Sequence, residues 1–119
     1  MRIALIGDSL TEGIPGCSYA ARLGDRLPQD TIVNLGLRND TVVSLYRRLR
    51  RQHFDTPFDL AFVWVGVNDV VRAPWASMSW TYRLAAMLVG KPRARDIEEF
   101  QMYYQNVLDL VALHTVHIV

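Results

Sequence analysis

The chain has a single cysteine, Cys17, among its 119 residues. One thiol makes neither an internal disulfide nor a zinc site, so the fold has no staple and must hold by packing. Charge of one sign is scarce as well: 13 Lys+Arg stand against 12 Asp+Glu, a formal net charge of +1. That balance argues against a general nucleic-acid binder or an anionic-membrane binder, since both usually carry a strong basic excess. Long hydrophobic runs are also missing. The opening Ile3-Ala4-Leu5-Ile6 is far too short for a signal h-region or a membrane span, and no stretch reaches ~18 uncharged apolar residues. A cytoplasmic location is therefore expected, although a secreted form with its signal removed would look the same. Neither an internal repeat nor a low-complexity tract occurs.

What the chain does have is core. Half of its residues are hydrophobic, which excludes a disordered chain. The length suits one compact domain, 1–119, able to bury roughly two-thirds of the surface its unfolded chain exposes.

Four short aliphatic or aromatic runs read as strands: Arg2 to Ile6, Thr31 to Leu35, Asp59 to Val65, and Thr115 to Val119. They lack clean alternation, as expected of parallel strands covered on both faces, and the last is expected in the middle of the sheet. Helical patterns lie between them. Ser18 to Leu27 is stopped by Pro28. Val42, Leu45, Tyr46 and Leu49 form one apolar stripe, with Arg47, Arg48, Arg50 and Arg51 on a solvated face and His53 expected at the helix end. Asp96-Ile97-Glu98-Glu99 has the form of a capping box before a helix whose apolar face includes Phe100, Tyr104, Val107 and Val111. The order β-α-β-α-β-insert-α-β predicts an α/β fold: a three-layer α/β/α sandwich on a parallel sheet with right-handed crossovers.

In such sheets the working residues gather at the carboxyl ends of the strands. Here the first three runs end in Gly7-Asp8-Ser9, Gly36 and Gly66-Val67-Asn68-Asp69. Ile6-Gly7-Asp8-Ser9-Leu10-Thr11 resembles the first block of the GDSL, or SGNH, hydrolases. Asn34-Leu35-Gly36 resembles their second block, and Gly66-Val67-Asn68-Asp69 their third. Three blocks in this order are far more specific than any one of them. The resemblance runs along the whole chain and corresponds to roughly the first two-thirds of such a domain, so a flavodoxin-like SGNH-hydrolase fold, incomplete at its C-terminal side, is implied.

The resemblance also implies roles. Ser9 would be the nucleophile and lend its backbone N–H to an oxyanion hole. Gly36 would add a second backbone N–H and Asn68 a side-chain amide, with Asp8, Gly66 and Asp69 in support. Acyl transfer needs such donors aimed at the oxygen that becomes negative. The implied reaction is hydrolysis or transfer of an acyl group from an ester or thioester through a Ser9 acyl-enzyme, with no metal or organic cofactor. Cys17, near this site, is expected as a small buried thiol.

The sequence departs from the family in two places. A glycine usual near position 39 is replaced by Asn39, which tolerates left-handed backbone. The family's last block, Asp-x-x-His, has no counterpart: His114 and His117 come too early, and Asp109 precedes His114 by five residues. The isolated 119 residues are therefore expected to show little or no esterase activity, with the histidine supplied by a C-terminal fragment or a second chain. The insert at residues 70–95, rich in Trp, Met and Leu, is expected to be either a lid over Ser9 or a packing helix. Two other functions fit the same residues: a non-catalytic small-molecule or carbohydrate-ester binding domain without a base, and a flavodoxin-like nucleotide-binding module. Against the second, no glycine-rich phosphate loop follows the first strand.

Overall fold

A computed structural model describes residues 1–14, 16–70, 79–81 and 90–119. The insert at residues 70–95, expected as either a lid or a packing helix, therefore lies largely outside the described residues. The strands are β1 (Arg2–Gly7), β2 (Thr31–Gly36), β3 (Phe58–Trp64) and β4 (Thr115–Ile118), all parallel in the order β2-β1-β3-β4. The helices that place the site are α1 (Ser9–Glu12), α2 (Tyr19–Arg26), α3 (Val42–Leu49), α4 (Val67–Val70) and α5 (Ile97–Ala112).

Period-2 geometry in β1 splits the core into two halves. Ala4 and Ile6 point to one face and pack with Val42, Leu45 and Leu49 of α3 and Val107 and Val111 of α5. Ile3 and Leu5 point to the other face, where they meet Ala20 and Leu23 of α2. Helices on both faces of a parallel sheet make the three-layer α/β/α sandwich. At about 1.5–3 kcal/mol per fully buried aliphatic side chain, burial on these two faces is the main favourable term.

Cover on both faces holds for β1 alone among the strands. Its last five residues are all buried, whereas β2 has no buried residue and β4 leaves Val116 73% exposed. Helix α2 lies over β1 and β2 and meets β3 through the Tyr19 and Trp64 rings, and β4 is the edge of the described sheet.

Helix ends show where local signals act. Asp96 caps α5 as expected by accepting from Glu99 N–H at 2.8 Å, but Glu99 reaches past it to the Arg95 N–H at 2.6 Å. The reciprocal capping box lies instead on α3, where Thr41 accepts from Ser44 N–H and Ser44 Oγ accepts from Thr41 N–H. Helix α3 ends at Leu49, so His53 lies beyond its last turn. Cys17 is exposed, contrary to expectation, in the connection between α1 and α2.

Candidate active site

The chain leaves β1 for β2 on one side, then returns to place β3 on the other. The connections after β1 and β3 consequently run to opposite faces, opening a crevice at the carboxyl edge between them. Gly7-Asp8-Ser9 leaves β1 at this crevice, and Gly66 to Asp69 follow β3 there. Gly7 pairs with Gly36 of β2 and Trp64 of β3, so all three motif segments meet at one edge.

Ser9 is partly exposed and opens α1, so its N–H has no acceptor within the helix. Asp8 is the N-cap, accepting from Leu10 N–H at 3.0 Å through Oδ1. Its side chain is fully buried, and Oδ2 has no hydrogen-bond partner. Burial pushes the Asp8 carboxyl above the ordinary aspartate range; the Leu10 N–H pulls it back, and the charge of Asp40 adds to the rise.

Asn68 lies in α4, the short helix entered through Gly66. Gly66 has φ 132, a conformation suited to glycine, and a Cβ there would come within 3.1 Å of the Phe100 ring. Asn68 Nδ2 donates to Asp40 O at 2.9 Å, which fixes the amide plane and leaves its second N–H free for another acceptor. Asp69 Oδ2 accepts from Val42 N–H at 2.9 Å, placing a carboxylate on the first turn of α3, where the helix dipole favours one. Its Oδ1 is buried without a partner, and burial raises the Asp69 carboxyl while the Val42 N–H opposes the rise.

Gly36 serves a different purpose from the one expected. Its N–H already donates to Asn34 Oδ1 at 2.9 Å, so it is not a free oxyanion donor in this structure. The glycine is needed because α1 sits directly on it: an added Cβ would overlap the Glu12 backbone nitrogen and lie 2.6 Å from the Thr11 carbonyl carbon. Asn34 completes the joint by donating from Nδ2 to Thr11 O at 2.9 Å. Two residues past Leu37, Asn39 adopts φ 61 in the loop that also carries Asp40.

Sequence reasoning placed Asn34 in the second block and noted Asn39, but did not single out Asp40 or Lys91, which the structure joins to the loop that carries Asn39. The run Asp40-Thr41 before the Val42 stripe carries a signal, that of a helix N-cap.

The histidines lie elsewhere. His114 O accepts from Phe58 N–H at the amino edge of the sheet, and its ring packs on Phe54. His117 pairs with Leu60, which pairs with Ile3. It is thus roughly 20 Å from Ser9 along the strands and two strands away. His53 precedes β3, also at the amino edge. Among the described residues no group of three or more His, Cys, Asp or Glu is placed to hold a metal ion, and no helix is long and apolar enough to cross a membrane.

The family model described as GDSL-like lipase/acylhydrolase matches residues 5–114. The chain belongs to this family. Its fold is that of a lipolytic protein of the G-D-S-L family from Veillonella parvula, at 15% identity and a TM-score of 0.64 over 99% of this chain. A G-D-S-L family protein from Desulfitobacterium hafniense matches over 98% of the chain at 24% identity and a TM-score of 0.62. The acetyl xylan esterase AlAXEase matches over 98% at 20% identity and a TM-score of 0.67. The GDSL chain spans 57% of the length of each of these three proteins. Among the curated proteins no match was found.

Proposed function

We propose that this GDSL chain carries the nucleophile and the acyl-oxygen site of a serine ester hydrolase. A base takes the Ser9 hydroxyl proton as Oγ attacks the acyl carbon, and the Ser9 N–H and the free Asn68 Nδ2–H take the charge that develops on the acyl oxygen. The bond to the alcohol or thiol then breaks, that group leaves with the proton, and water releases the acid from Ser9. The Asn39 N–H, on the loop that anchors Asn68, serves as the further backbone donor, because the Gly36 N–H is already engaged. Gly36 and Asn34 instead hold α1, and with it Ser9, against β2. The observation that carries this reading is the meeting of all three family motifs at the carboxyl edge of the sheet, with the Asn68 amide held by a backbone carbonyl.

The base comes from outside residues 1–119. A serine hydroxyl needs an adjacent base, and the three histidines here sit at the amino edge or on the outer strand. A segment following β4, or a second chain, would supply it. The lack of a base within this chain also favours a second reading, a domain that binds acyl esters without turning them over.

Labelling of the full gene product with a fluorophosphonate, read by intact mass and peptide mapping, separates the two. Stoichiometric labelling at Ser9, lost in Ser9→Ala, together with turnover of a panel of aryl esters from acetyl to long-chain, supports the hydrolase. Ester binding without labelling or turnover supports the binding domain, and labelling at another serine overturns the assignment of Ser9.

A further inference from the structure

A buried ionic cluster holds the loop between β2 and α3. Asp40 has a side chain only 1% exposed; its Oδ2 accepts from Arg48 Nε at 2.9 Å, and its Oδ1 from Ser44 Oγ at 2.8 Å and Lys91 Nζ at 2.6 Å. Arg48 alone balances the charge, and it spends its remaining reach on Leu35 O at 2.8 Å. A second cation on one buried carboxylate is not needed for neutrality and costs desolvation.

Lys91 does something that Arg48 does not. Its ammonium, with three donors, also bonds Arg38 O at 3.1 Å. The next residue, Pro92, accepts from Thr41 Oγ1 through its carbonyl. Arg38 is gripped from the opposite side by α1, its N–H donating to Glu12 Oε2 at 2.6 Å. Residues 38–41 are thus pinned between the helix that begins with Ser9 and the segment that carries Lys91. Within that stretch lie Asn39, at φ 61, and the Asp40 carbonyl that orients Asn68.

We propose that Lys91 is a positioning residue for the acyl-oxygen site: its bridge from Arg38 O to the Asp40 carboxylate holds the 38–41 loop so that Asn39 and Asn68 keep their aim. This rests on the reading of Asn68 as an acyl-oxygen donor. An ammonium tether suits the task because it fixes two oxygens at once through a single charged atom.

The test compares Lys91→Met, Lys91→Arg, Asn68→Ala and the surface control Arg95→Met in the full gene product. Backbone exchange at residues 38–41 and the Asn68 side-chain amide resonances report on the loop without needing turnover. Lys91→Met is expected to speed exchange there, shift the Asn68 amide, and lower kcat about tenfold with KM within about twofold, less than the ~10²–10³ of losing a donor outright. Lys91→Arg restores both readouts, and Arg95→Met changes neither. Unchanged exchange and amide resonances in Lys91→Met, or a lowered melting temperature with the parental kcat, overturns the tether. Asn68→Ala at the parental kcat removes the acyl-oxygen reading beneath it, a result distinct from an impaired Asn68→Ala beside an unimpaired Lys91→Met.

Discussion

Replacing Gly36 by alanine adds one methyl group at the point where α1 rests on β2. The new carbon would overlap the Glu12 nitrogen and stand 2.6 Å from the Thr11 carbonyl carbon and 2.8 Å from Thr11 Cβ. Carbon atoms in contact settle at about 3.5–4.0 Å, so α1 must retreat by roughly 1 Å. Two of the crowded atoms belong to the backbone, and no rotamer change relieves them. Overpacking of this kind costs about 1–3 kcal/mol, and the rigid neighbours put Gly36→Ala at the upper end. At ~2.1 cal/mol/K per residue, 119 residues unfold with an entropy of about 0.25 kcal/mol/K, so ~3 kcal/mol lowers Tm by about 12 °C. The control is Gly24→Ala within α2, where the nearest atom to an added Cβ is Ile32 Cγ1 at 3.9 Å. There the same methyl stabilises the helix by about 0.5–1 kcal/mol and raises Tm by a few degrees. Thermal melts followed by circular dichroism check both variants. If Gly36→Ala melted within about 2 °C of the parent, or Gly24→Ala fell as far, the packing account of Gly36 would be wrong.

Ser9→Ala is expected to abolish covalent labelling by a fluorophosphonate without moving Tm by more than about 1 °C, because a partly exposed hydroxyl is lost and the Asp8 cap remains. Persistent labelling elsewhere would point to another nucleophile. Asn68→Ala should lower kcat of the full gene product by about 10²–10³-fold with the fold intact, measured by steady-state ester hydrolysis; a loss confined to KM would contradict the role. Asp8, raised by burial, binds its proton more tightly in the folded chain than in the unfolded one. Its contribution to stability is therefore complete below the ordinary aspartate range and is lost as pH rises through the raised folded value. Relative to Asp8→Asn, which keeps an Oδ1 acceptor for Leu10, the parent should gain stability as pH is lowered. Urea midpoints that stay a constant distance apart across that range would refute the assignment.

Much of this architecture is local and hence legible. The β1 run, the stop at Pro28, the α3 stripe and the Asp96 cap each depend on neighbours within a few residues, and each appears at the expected place. The site is legible to the extent that it consists of strand ends: Ser9, Asn68 and Asp69 follow β1 and β3 because parallel topology brings those ends to one edge. What escaped depends on partners far apart in the chain. Lys91 lies 51 residues from Asp40, and no periodicity connects them. The exposure of β4 and the partial cover by α2 are likewise matters of which helix spans which strands, and composition is silent on that.

Gly36 marks where the limit falls. A glycine at a strand end beside a catalytic motif satisfies two physical demands equally well: a backbone N–H that must approach a substrate, or a missing Cβ that lets another element pack. The letter is the same in both cases. Only the atoms around it decide, and here the N–H is spent on Asn34 while the empty Cβ position is filled by α1. In the proposed site the oxyanion task then falls to the loop that Asp40 anchors. There Asn39 adopts a left-handed φ of 61, a conformation that asparagine tolerates better than most residues other than glycine.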